Sequence, residues 1–130
     1  MSTGATTMHH RSSLARVAYG LAAAILLAAV VAELAAHGGG WWQVAVFGLG
    51  PDVALVYGTA PGLEKGQLHP RAVVPYNLLH RLWGPVVLTV LAATGVLPGL
   101  LVGGLTWGLH VTLDRAIGYG LRTPDGFQRA

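Results

Sequence analysis

The sequence predicts an all-α fold, an integral-membrane bundle of four transmembrane helices, on three observations. Of its 130 residues, 53% are hydrophobic and only 10% charged, too apolar for an ordinary soluble domain of this size. Four apolar stretches reach or approach the roughly 20 residues that a helix needs to cross a bilayer. Six basic residues flank those stretches in a consistent pattern: Arg11, Arg16, Lys65, Arg71, Arg122 and Arg129. There is no cysteine, which removes disulfides and thiolate metal sites, and no basic run with interleaved aromatics, which argues against nucleic acid as a partner.

The first span runs from Leu14 to Ala36. Its tail, "AELAAHG", resembles a signal-peptidase site, but the apolar stretch exceeds the 7–15 residues usual for a signal peptide, so it is read as a retained helix. The second span, Trp41 to Gly58, carries Gly50–Pro51, and a proline inside a helix removes one hydrogen bond and crowds the preceding turn. A kink or break is expected there, with Asp52 in the first turn beyond it. The polar link "TAPGLEKGQLHPR" leads to the third span, Ala72 to Val96. The fourth, Leu100 to Leu121, contains Gly104 and Gly108, a spacing that allows a close helix neighbour. The links His37–Gly40 and Leu97–Gly99 are short, as antiparallel neighbours require.

Neither short link contains lysine or arginine, whereas the middle link and both ends do. The positive-inside rule therefore places both termini and the middle link in the cytoplasm and the short links outside. On this reading residues 1–13 and 123–130 are cytoplasmic tails, residues 14–122 are the transmembrane domain, and the lipid bilayer is the first partner. Glu33, close to His37 and Trp41–Trp42, belongs to the outer interface; His9, His10 and His69 belong to solvated sequence.

Ionisable residues within the spans are the informative exceptions, because a charge at membrane depth is retained only when paired or facing a cavity. At 1.5 Å per residue, Asp52 lies about 9 Å, His80 about 12 Å, Arg81 about 14 Å, Asp114 about 10 Å and His110 about 17 Å above the inner end of its own span. Three separate spans thus bring such groups to one layer in the cytoplasmic half. His110 and Asp114, four residues apart, share a helix face; Tyr76, Asn77 and His80 line another.

Two readings fit this layer. In one, Asp52 and Asp114 pair with Arg81 and Arg115, and the network fixes helix packing or the docking of a partner without catalysis. In the other, Asp52, His80, His110 and Asp114 are ligands of a divalent metal, Zn²⁺, Mn²⁺ or Fe²⁺, whose donor preferences they match. Arg81 and Arg115 would then orient an anionic or lipid-derived small molecule, and Asn77 and Tyr119 would supply supporting hydrogen bonds. A haem held between His80 and His110 and a proton pathway are further uses of the same residues.

Trp41–Trp42, Pro51–Asp52, Tyr76–Asn77 with His80, and "HVTLDRAIGYGLRTPDGF" resemble a family of small bacterial integral-membrane proteins, the domain-of-unknown-function family 4260, from about Leu14 to Phe127. The resemblance implies a compact four-helix protein of the bacterial cytoplasmic membrane and no particular activity. The order Pro51–Asp52, His80–Arg81, His110-xxx-Asp114 is also similar to that of the LexA-regulated membrane-bound metal-dependent hydrolases. Here Ala54 replaces that family's second aspartate, and Gly84–Pro85 its Thr-His pair.

Overall fold

A computed structural model describes residues 3–129, with side chains from Ser13 onward. The side chains of His9, His10 and Arg11 therefore lie outside the described residues. Among the described residues the fold is all-α, with six α-helices: α1 (Thr3–His37), α2 (Trp41–Leu49), α3 (Val53–Tyr57), α4 (Val73–Leu79), α5 (Trp83–Ala93) and α6 (Leu101–Ile117). Among the described residues there is no strand, only one isolated antiparallel bridge between Arg122 and Gln128. The expected kink at Pro51 is a 3₁₀ turn, Gly50–Asp52, joining α2 to α3.

α6 is the hub, packing against α1, α2 and α5. Its buried residues, Val102, Gly103, Gly104, Thr106, Gly108, Val111 and Thr112, are mostly small, which is what lets three helices surround it. Gly104 is the tightest point, where an added Cβ would come within 2.9 Å of the Thr89 backbone nitrogen on α5. Gly108 is looser, its nearest neighbour being the Leu26 side chain at 3.4 Å.

The expected third helix, Ala72 to Val96, is corrected by the structure: it divides into α4 and α5 at His80–Leu82. Pro85 accounts for the division. It has no N–H for the carbonyl of Arg81 one turn earlier, and its ring would collide with that carbonyl in a continuous helix. The carbonyls freed at the end of α4 find partners on α6. Trp107 donates its indole N–H to Leu79 O at 2.7 Å, and Arg115 donates from Nη2 to His80 O at 3.0 Å.

The two ends of the molecule differ in character. At one, Gln43 is buried and ties the short links together, donating to Gly99 O and accepting from the Gly103 N–H in the first turn of α6. At the other, residues 118–129 fold back onto the middle link: the Leu68 N–H donates to Gly126 O, Gln67 to Asp125 O, and Arg122 to Gly66 O. Within the stretch read from sequence as a C-terminal tail, residues 123–128 are thus packed structure. Leu68 joins Ala54, Ala72 and Tyr76 in a small core beneath it. Among the described residues one stretch, Ser13–His37, is long and apolar enough by itself to cross a membrane.

Candidate metal centre

Two of the four candidate ligands sit at breaks in helices. Asp52 ends the turn that Pro51 imposes, and His80 caps α4 where Pro85 prevents continuation. His110 and Asp114 are one turn apart on α6. The result is convergence. His80 Nε2 lies 3.3 Å from Asp52 Oδ1 and 3.5 Å from Asp114 Oδ2. His110 Nε2 lies 3.3 Å and 3.4 Å from the same two oxygens. The two Nε2 atoms are 3.3 Å apart, and one ligand atom from each of the four residues falls within 4.8 Å of the others. A tetrahedral ion with bonds of about 2.0–2.1 Å sets its ligands about 3.3–3.4 Å apart. These five separations, 3.3–3.5 Å, fall within about 0.1 Å of that spacing.

The remaining ring nitrogens decide what the cluster lacks. His80 Nδ1 is 2.8 Å from Tyr76 O, and His110 Nδ1 is 2.8 Å from Gly48 O. A backbone carbonyl only accepts, so each Nδ1 carries the hydrogen and each neutral imidazole presents a lone pair at Nε2. Two such lone pairs then face two carboxylate oxygens, four acceptors around one point with no donor among them. Only a cation or added protons can fill that point. Carbonyl-anchored histidines of this kind are the usual support of metal-bound imidazole.

His80 is further held by Tyr76, whose ring stacks on it with centroids 3.9 Å apart, and the Arg122 guanidinium covers Tyr76 from 5.0 Å. Side-chain exposure rises across the cluster, from 2% for His80 and 11% for His110 to 23% for Asp114 and 45% for Asp52. Access to the cluster is therefore on the Asp52 side.

The expected Asp–Arg pairs do not form. Among the described residues the ion-pair partners of Asp52 and Asp114 are the two histidines. Arg115 points instead at the His80 carbonyl, and Arg81, in the break itself, is exposed. Asn77 is occupied with the Arg122 backbone, donating to its carbonyl and accepting from its N–H. Tyr119 is exposed on the C-terminal segment. Four donors converging on a point do not describe a haem, whose axial histidines stand on opposite faces of a disc. The residues that sequence reasoning missed are Pro85, Trp107 and Gly48. Pro85 was legible as a helix breaker four residues after Arg81; the roles of the Trp107 indole and the Gly48 carbonyl carry no sequence signal.

The family described as "Domain of unknown function (DUF4260)" matches residues 14–130. No curated protein and no solved structure matches the chain.

Proposed function

The chain belongs to the domain-of-unknown-function family DUF4260, and on that premise we propose that it is a multi-pass protein of the bacterial cytoplasmic membrane that binds a divalent metal through Asp52, His80, His110 and Asp114. The observation that carries the reading is the set of four acceptors, both imidazoles having their N–H groups committed to carbonyls. Zn²⁺ suits the donor set and spacing best, with Mn²⁺ and Fe²⁺ next. When bound, the ion would lower the pKa of a coordinated water and make it a nucleophile near neutral pH. Asp52, the most exposed ligand, borders the position that a water or substrate would take. Arg81 and the charge of Arg115 favour an anionic or lipid-derived substrate, and the hydrolase likeness of the motif order points the same way.

The membrane placement is supported by the surface. Large apolar side chains stand outward on every helix, among them Leu21, Ile25, Val46, Val56, Val74, Val90 and Ile117, and Trp41–Trp42 mark one end. Arg16, Lys65, Arg71, Arg122 and Arg129 gather at the opposite end with the middle link, which supports four passes with both termini cytoplasmic.

The second reading is structural: both imidazoles protonated and paired with the two carboxylates, fixing the packing of three passes. The short His–Asp separations favour it. The head-to-head Nε2 atoms count against it, because two positive rings would then meet at 3.3 Å. Metal analysis by mass spectrometry of untagged protein in mild detergent separates the two. One ion per chain, lost in His110→Ala and Asp114→Asn, is expected. No ion after reconstitution with Zn²⁺, Mn²⁺ and Fe²⁺ would establish the structural reading instead.

A further inference from the structure

The cluster adjoins an apolar groove whose lining includes none of the four candidate ligands. The groove has a volume of about 230 Å³ and is lined by Val46, Phe47, Gly50, Pro51, Leu79 and Trp107. Pro51 and Leu79 are the chain neighbours of Asp52 and His80, and Trp107 lies about one turn before His110 on the same face of α6. The groove therefore lies beside the cluster. The one side-chain donor in its lining, the Trp107 indole, is already bonded to Leu79 O. Its wall thus suits hydrocarbon and leaves no side-chain group for a polar ligand. A larger apolar groove, lined by Leu26, Pro85, Val86 and Gly104 among others, lies along the Gly104–Gly108–Thr112 face of α6, turned away from His110.

We infer that this groove takes the single hydrocarbon chain of an anionic amphiphile, whose acidic end reaches the metal beside Asp52. The inference rests on the metal reading above. A dication and two carboxylates cancel, so the neighbouring charges left over are those of Arg81, which is exposed next to His80, and Arg115. That balance selects an anion. The wall selects a chain.

The test uses the full chain loaded with Co²⁺ in uncharged phosphatidylcholine nanodiscs, with the visible Co²⁺ band as readout. The probes are acetohydroxamate and octanohydroxamate, which share one chelating head. Two variants fill the groove from different sides. Gly50→Leu places its side chain in open space, since φ at Gly50 is −54° and an added Cβ meets nothing within 4 Å. Val46→Trp enlarges an exposed lining residue. In the unsubstituted protein octanohydroxamate should shift the band at a concentration at least about tenfold below that of acetohydroxamate, from burial of its extra methylenes. Both variants should lose most of that preference and bind acetohydroxamate as before. Partition of the longer probe into lipid is the same for all three proteins, so the difference between them reads the groove. A preference that survives in both variants overturns the proposal. So does loss of the Co²⁺ band in both, because a groove separate from the ligands can be filled without unseating the ion. Absence of any Co²⁺ band in the unsubstituted protein instead overturns the metal reading, and this inference with it.

Discussion

His80 is buried, and nearly every polar atom it has is spoken for. Its Nδ1 and its backbone N–H both meet Tyr76 O, its carbonyl accepts from Arg115, and its Nε2 faces the cluster. Arg115 is thus a positioning residue, one bond removed from the candidate ligand. Arg115→Met should weaken metal binding by about 10–100-fold, the usual effect of removing a group that orients a ligand. Helical content should stay unchanged, and Arg115→Lys should recover part of the loss. Calorimetric metal titration with circular dichroism checks both. The metal affinity should also fall on acidification, since both imidazoles must be neutral to ligate. The four candidate ligands were legible as single residues because depth along a helix follows from sequence position alone. The true partners of the arginines were not. Arg115 lies about 100° round the helix from Asp114, and what stood there, a bare carbonyl at the end of α4, existed only because a helix ended.

The breaks in the helices are features of the elements rather than of any one ligand. Pro85→Ala would restore a donor for the Arg81 carbonyl and remove the clash that separates α4 from α5. The expected outcome is a continuous helix, His80 turned away from the other three ligands, and metal binding lost with thermal stability kept. A melting curve beside a metal titration shows whether the two separate. Gly104→Ala acts differently. Its methyl group would press on the Thr89 backbone, which cannot step aside, so a loss of about 1–3 kcal/mol in stability is expected. Gly108→Ala, facing the flexible Leu26 side chain, should lose less. Denaturation of the two variants side by side checks the order. Sequence gave warning of the break at Pro51, because Gly50 and Asp52 flank it. Pro85 carried the same helix-breaking signal, but it sits in an apolar run long enough to read as a single helix. The fold-back of residues 122–128 depends on bonds to residues about 60 positions away, Gln67 to Asp125 among them, and local pattern does not reveal those.

At the scale of the whole molecule, the proposed orientation is open to direct measurement because the chain has no cysteine of its own. Single cysteines placed at Gly39 and Gly99, in the two short links, should react with a membrane-impermeant maleimide on intact cells. Cysteines at Lys65 and Asp125 should react only after the membrane is opened. The reverse pattern would invert the topology, and equal labelling of all four would remove the membrane placement altogether. The distribution of helical length then has a consequence for biogenesis. Of the four proposed passes, α1 alone among the described residues combines unbroken length with an apolar surface sufficient for spontaneous partition from the translocon. The other proposed passes are interrupted at Gly50–Asp52 or His80–Leu82, or carry His110, Asp114 and Arg115. Each therefore depends on company to leave the translocon. α1 would act as the resident wall against which later segments are released, α6, its main packing partner, among them.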